Sequence, residues 1–228
     1  AMEHAGRTGG LPFVGVGWYR TEFDVPQFQA GKRATILFDG AMSHANVYIN
    51  GQKVGYWPYG YNSFHFDITK YLKPGQKNTL AVRLENQPES SRWYPGAGLY
   101  RNVHLIVTED AYIPVWGTYI TTPSVNEKFA KVNVRAKVVL PEGADPARYS
   151  VETSLWNPDK QKLTAVRTSL AQMKYDNDQV EQDFIIQDPS LWSPEMPALY
   201  SAETRLYEGD KLKDIYTTPF GIRSIEII

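Results

Sequence analysis

Ser91-Arg92-Trp93-Tyr94-Pro95-Gly96-Ala97-Gly98-Leu99-Tyr100-Arg101 is the most informative run of this 228-residue chain, and it closes a long loop that begins at Glu85. Before the loop, Thr79-Leu80-Ala81-Val82-Arg83-Leu84 alternates apolar and polar residues as a half-buried strand does. After it, Val103, Leu105 and Val107 share one face, and Asn102, His104 and Ile106 the other. Two period-two runs with a turn-rich loop between them predict sheet structure on both sides. The loop itself sets a cation, an indole and a phenol side by side at Arg92, Trp93 and Tyr94, and Pro95, Gly96 and Gly98 bend the backbone so that it can approach a neighbour closely. A flat ring beside fork-shaped donors suits a sugar, whose C–H face stacks while its hydroxyls take hydrogen bonds. The commoner role of a loop Trp or Tyr is to plug the end of a β-sandwich.

The chain is long enough for two domains with cores of their own, and 42% hydrophobic with 21% charged residues is a globular composition. A net charge of -1, with Lys and Arg scattered, leaves no basic surface for nucleic acid. No apolar run approaches the roughly 20 residues of a membrane-spanning helix. Zero cysteines exclude disulfides, thiolate metal sites and a cysteine nucleophile. Fifteen Tyr, nine Phe and six Trp against four Met favour strands over helical bundles.

Strands are expected from Trp18 to Val25, Ala34 to Phe38, Ala45 to Ile49 and Gln52 to Gly55, the last two joined by Asn50-Gly51, the strongest short hairpin signal. Tyr56, Trp57, Tyr59 and Tyr61, broken by Pro58 and Gly60, read as a second aromatic loop, followed by a strand carrying Phe64, Phe66 and Ile68. Asp67 to Gly75 reads as one helical turn capped by Asp67 or Thr69, then a Pro-Gly turn. Later strands are expected at Lys131 to Leu140, Tyr149 to Leu155, Val180 to Ile186, Ala198 to Tyr207 and Lys213 to Pro219, with a turn at Asp176-Asn177-Asp178 and a crossing loop at Asp188 to Glu195. Many short strands and no amphipathic helix predict an all-β protein of two sandwiches. The expected division is a tag remnant and leader at 1–8, a jelly-roll domain at 9–113 and an immunoglobulin-like sandwich of roughly seven strands at 114–228, with Pro114 and Pro123 flanking the joint.

Gly17-Trp18-Tyr19-Arg20, Val47-Tyr48-Ile49-Asn50-Gly51, Phe66-Asp67-Ile68-Thr69, the run Ser91 to Arg101, Leu191-Trp192-Ser193-Pro194-Glu195 and Phe220-Gly221-Ile222-Arg223 together resemble the start of glycoside hydrolase family 2, which includes β-galactosidases, β-glucuronidases and β-mannosidases. The resemblance implies a sugar-binding jelly roll, then an immunoglobulin-like domain, then a TIM barrel carrying two catalytic glutamates that this chain does not reach. It implies a β-glycoside substrate for the parent enzyme and makes Ser91, Arg92 and Trp93 the candidates for substrate-side contacts.

No residue here is expected to be catalytic, because retaining hydrolysis needs two carboxyls about 5–5.5 Å apart on rigid elements and Glu85, Glu89 and Glu195 sit singly in loops. His4, His44, His65 and His104 lack metal-ligand spacing, so neither metal nor cofactor is expected. Arg20 and Arg101 read as structural. The leading expectation is the non-catalytic N-terminal part of a retaining β-glycosidase, most plausibly a β-galactosidase; a free-standing carbohydrate-binding module and a structural or homo-oligomer-forming unit are the alternatives.

Overall fold

A computed structural model describes residues 15–25, 27, 31–87, 97–172 and 179–225. The chain forms two compact units, Ala1–Val107 and Thr108–Ile228. Both are built of strands packed as sandwiches, with only single 3-10 turns besides among the described residues.

The first unit contains β1 (Val16–Asp24), β2 (Arg33–Phe38), β3 (Ala41–Met42), β4 (Ala45–Ile49), β5 (Gln52–Trp57), β6 (Phe64–Asp67), β7 (Lys77–Glu85), β8 (Gly98–Leu99) and β9 (Val103–Thr108). They assemble as a four-stranded sheet β1-β7-β4-β5, a three-stranded sheet β6-β2-β9 and the short pair β3-β8. Period-two side chains point one set inward from each sheet. Ala34, Ile36 and Phe38 of β2 meet Val47 and Ile49 of β4 and Leu80, Val82 and Leu84 of β7, with Phe64 and Ile68 between. Each fully buried side chain of this size contributes about 1.5–3 kcal/mol. Phe64 stacks on Phe38 at 4.8 Å and on Trp57 at 5.6 Å. Gly55 lies at an inward position, where a Cβ would come within 2.3 Å of the Phe66 ring.

The Asn50-Gly51 hairpin forms as expected, with φ of 51° and 81° at its two central residues. Asn50 is also a clamp. Its amide donates to the Tyr71 carbonyl (2.9 Å) and to Asn78 Oδ1 (2.8 Å), and its Oδ1 accepts the Thr79 N–H (3.0 Å). Asn78, with no exposed surface, accepts the Lys73 N–H and donates to the carbonyls of Lys73 and Gln76. A buried amide and a half-buried one thereby satisfy the backbone of a turn that no strand pairs. The expected cap of the 3-10 turn Thr69–Tyr71 by Asp67 or Thr69 does not form: Ile68 holds the N-cap position without a side-chain bond, and the Asp67 Oδ1 instead accepts the Thr69 N–H at 2.8 Å from one residue further back.

Two assignments change. Tyr56 and Trp57 belong to β5, not to an aromatic loop, because Trp57 turns inward onto Phe64 and continues the strand's alternation. Pro123 lies within β10 rather than at a joint, at a register shift between Thr121 and Ser124 where the ladder needs no N–H from it.

The second unit comprises β10 (Thr118–Val125), β11 (Phe129–Lys137), β12 (Tyr149–Trp156), β13 (Lys162–Ser169), β14 (Gln179–Gln187), β15 (Tyr200–Glu208) and β16 (Lys211–Phe220). The sheets are β10-β11-β14 and β13-β12-β15-β16. Strand β13 has little apolar alternation and is exposed along one edge, which is why its sequence is a weak signal. The expected turn at Asp176–Asp178 lies outside the described residues. Gln182 of β14 reaches the opposite sheet: its Nε2 donates to the carbonyls of Val151 (3.2 Å) and Val166 (3.0 Å) and to Thr168 Oγ1 (2.9 Å). Asp214 of β16 accepts the Ile113 N–H at 2.8 Å, and the Tyr216 hydroxyl accepts that of Trp116 at 3.0 Å, stitching the approach to β10 onto the other sheet.

On the outer face of β11 and β14, Asn133 donates to Glu181 (2.9 Å) and Asp183 (2.8 Å), and Lys131 pairs with Asp183 at 3.2 Å. The Asn133 hydrogen bond, then that of Lys131, holds the Asp183 carboxyl below the usual carboxylate range.

Two outcomes are expected. Asn78→Leu should lower the stability of the first unit by about 1–3 kcal/mol in urea unfolding, since it removes the hydrogen bonds to the Lys73 and Gln76 backbone and to the Asn50 amide. Because the folded pKa of Asp183 is depressed, its stabilisation is present above the unfolded carboxylate pKa and is lost as pH falls through the folded one. Acid unfolding of Asp183→Asn should therefore show a shallower pH dependence than the parent chain; an identical slope would show that this pair carries none of it.

Candidate functional site

The run that opened the sequence analysis springs from one short segment, Ala41 to His44. Strand β8, absent from the sequence reading, pairs with β3 through Ala41↔Leu99 and Met42↔Gly98 and so anchors the loop's far end. Its near end is clasped from both directions: the Glu85 N–H donates to the Ser43 carbonyl and the Ser43 hydroxyl donates to the Glu85 carbonyl, each at 2.9 Å. The next residue, Asn86, donates its N–H to the Gly15 carbonyl at 2.8 Å. Its side-chain Nδ2 is buried without a partner among the described residues.

Around this root, side chains close every gap. Tyr100 donates its hydroxyl to the Gly60 carbonyl at 2.7 Å, and a Cβ at Gly40 would lie 2.6 Å from the Tyr100 ring. Gly60 has the same role toward Met42, where a Cβ would fall 2.2 Å from the sulfur. Gly98 has φ of 94° and presses against the Tyr19 hydroxyl, 2.2 Å from where a Cβ would sit. Asp39 reaches His104 at 3.0 Å and takes its backbone partner from Asn102. The glycines are thus contact points, which explains why the motifs Gly17 to Arg20 and Ser91 to Arg101 go together: Tyr19 is the partner of Gly98.

Ser91, Arg92 and Trp93 lie outside the described residues, as do Tyr94, Pro95 and Gly96. Glu85 is described, and it pairs with Arg83 at 3.2 Å on the outer face of the sheet. His44 sits in the bend before β4, its Nδ1 2.7 Å from the Tyr56 hydroxyl, and not on a strand. Burial lowers the pKa of His65. Arg101 lies over the Tyr100 ring at 5.5 Å, and Arg20 is exposed on β1. Among the described residues no group of three His, Asp or Glu could hold a metal ion, and no helix is long and apolar enough to cross a membrane.

In the second unit two further motifs meet. Trp192 donates its N–H to the Ile222 carbonyl at 2.8 Å, Arg223 lies over its ring at 4.6 Å, and a Cβ on Gly221 would come within 2.9 Å of the indole. Together with Tyr119, Leu199 and Phe220 they line an open groove that has no carboxylate among the described residues.

Gly98→Ala should destabilise the first unit by about 1–3 kcal/mol, from the left-handed backbone and the collision with Tyr19. Adding Tyr19→Ala should recover the collision part only, and calorimetric melting of the two variants separates the contributions.

Comparison with known proteins follows the same division. Residues 12–109 match the family model described as glycosyl hydrolases family 2, sugar binding domain, and residues 112–223 match that of glycosyl hydrolases family 2. A beta-galactosidase of Bacteroides ovatus, BoGH2A, is 39% identical over 230 residues, covering 100% of this chain and 27% of that protein. A beta-glucuronidase of Bacteroides fragilis is 32% identical over 222 residues, covering 92% of this chain and 31% of its own length. The crystal structure of a glycosyl hydrolase family 2 member from Bacteroides cellulosilyticus superposes with a TM-score of 0.84 at 31% identity, over 94% of this chain and 29% of that one. The chain spans between a quarter and a third of the length of these relatives. Two consecutive family models over nearly all of its length place this chain in glycosyl hydrolase family 2.

Proposed function

We propose that the chain is the non-catalytic front of a retaining β-glycosidase, acting on β-galactosides or, as the second choice, β-glucuronides. In this reading the first unit is the jelly-roll-type domain and the second the immunoglobulin-like one. Both position a TIM barrel, supplied by the longer protein, that holds the two catalytic carboxylates. Ser91, Arg92 and Trp93 reach the rim of that barrel's pocket and contact the bound sugar. The observation that carries the proposal is the double clasp between Ser43 and Glu85 with the β3–β8 bridge, which fixes both roots of the loop on one rigid corner. Positioning contacts of this kind act by holding the substrate rather than by moving protons.

The galactoside preference rests on BoGH2A, and the second choice on the beta-glucuronidase relative. The oligomerisation reading has no comparable geometric support among the described residues.

The chain alone should hydrolyse neither 4-nitrophenyl β-galactoside nor 4-nitrophenyl β-glucuronide. In the longer protein, Arg92→Ala should lower kcat/KM by about tenfold to a hundredfold, the equivalent of one charged hydrogen bond of about 1.5–3 kcal/mol. Melting temperature should stay unchanged. Full activity in both Arg92→Ala and Trp93→Ala would remove the loop from the pocket, whereas turnover by the chain alone would overturn the non-catalytic assignment.

A further inference from the structure

Across the outer face of the four-stranded sheet, one row of directly opposed residues runs Trp18–Arg83–Asn46–Tyr56. Trp18 on β1 opposes Arg83 on β7, Arg83 opposes Asn46 on β4, and Asn46 opposes Tyr56 on β5. Their inward neighbours, Val47 and Val82, are buried in the core, so all members of the row point away from it. An aromatic ring stands at each end, with a guanidinium and a carboxamide between. We propose that this row is a glycan-binding platform, separate from the loop at Ser91 to Trp93, that takes an unbranched oligosaccharide laid across the strands.

The rings have the required freedom and fixity. Trp18 keeps 59% of its surface exposed and Tyr56 46%. Both are nonetheless held: Trp18 packs against Tyr48 at 5.5 Å, and the Tyr56 hydroxyl meets His44 Nδ1 at 2.7 Å. Trp18, held by Tyr48 on one side and largely exposed, can stack on the C–H face of a pyranose at little entropic cost, and Tyr56, with the Lys53 ammonium 6.0 Å from its ring centroid, presents a ring and a cation together. Asn46 spends one N–H on the His44 carbonyl at 3.1 Å, and its Oδ1 has no partner among the described residues. Arg83 Nη1 pairs with Glu85 at 3.2 Å. Between the rings, therefore, lie donor and acceptor atoms directed by neighbours within the same sheet, as a row of sugar hydroxyls requires.

Length and charge define the occupant. With two strands between β1 and β5, three spacings of about 4.8 Å set Trp18 and Tyr56 roughly 14 Å apart at the backbone, beyond the reach of one monosaccharide. The next row, Arg20–Ala81–Tyr48–Lys53, adds a cation at each edge and a small residue at β7, which keeps the surface flat. A flat polar face with two stacking points selects an extended chain of hexoses; the flanking cations would add affinity for one bearing uronates. The assignment stands on this face alone and holds whether or not the loop contacts substrate.

The test is calorimetric titration of the chain with β-1,4-linked tetrasaccharides of glucose, galactose and a uronate, and with the matching monosaccharides. At least one tetrasaccharide should bind while its monosaccharide does not, and both Trp18→Ala and Tyr56→Ala should weaken it about tenfold or more, the equivalent of about 1.4 kcal/mol. Trp93→Ala should leave it unchanged, and melting curves of the two surface variants should match the parent. Preference for the uronate that fades with salt assigns the cation row a part; equal binding of the neutral sugars assigns the stacking alone. Absence of tetrasaccharide binding, or binding abolished by Trp93→Ala and not by Trp18→Ala, overturns the platform. So does a concentration-dependent dimer that Trp18→Ala disperses, since the face would then belong to a second copy.

Discussion

Strand β7 is hydrogen-bonded along both edges, to β1 and to β4, and the rest of the first unit is referred to it by a period of two. Asn78, Leu80, Val82 and Leu84 go inward, and Thr79, Ala81, Arg83 and Glu85 go outward. A strand held on both sides cannot slip by one residue without turning its whole apolar set into water. The inward set therefore fixes the outward one. At one end the strand ends in the Asn50–Asn78 amide clamp, and at the other in the two-way clasp between Glu85 and Ser43. Loop and platform alike inherit their positions from this single register.

The second unit solves the same problem with a different device. Its three-stranded sheet is tied to the opposite one by apolar packing, and also by Gln182, whose amide spans the gap to the carbonyls of β12 and β13. Burying a carboxamide costs free energy unless its donors are met, and here Nε2 is fully used while Oε1 has no partner among the described residues. One orphan acceptor is a modest penalty for a bond that fixes the lateral position of two sheets. The Trp192–Gly221–Arg223 cluster closes the end of this sandwich in the same spirit, with a glycine admitting an indole and a cation covering it.

The two faces of the four-stranded sheet differ in burial and in polarity. The inner face packs Trp57 against Phe64 of the opposite sheet, where Phe64 in turn stacks on Phe38. The outer face keeps Trp18 and Tyr56 half in water, steadied by polar neighbours. Exposed rings arranged in register with donors are an arrangement that packing alone does not require.

The sequence by itself determined the all-β class, the Asn50-Gly51 hairpin, most strand positions and the family, because alternation and turn chemistry are local properties carried by neighbouring residues. It located the loop at Glu85 to Arg101 and its candidate residues Ser91, Arg92 and Trp93, whose contacts lie outside the described structure. It could not reveal that Tyr56 and Trp57 face opposite ways on one strand, that Pro123 occupies a bulge, or that β3 and β8 pair over a long separation. Nor could it place Trp18 and Tyr56 in one row. Those facts depend on which strands become neighbours, and strand order is decided by the closure of two sheets around a shared core, where residues distant in the chain first acquire a common surface.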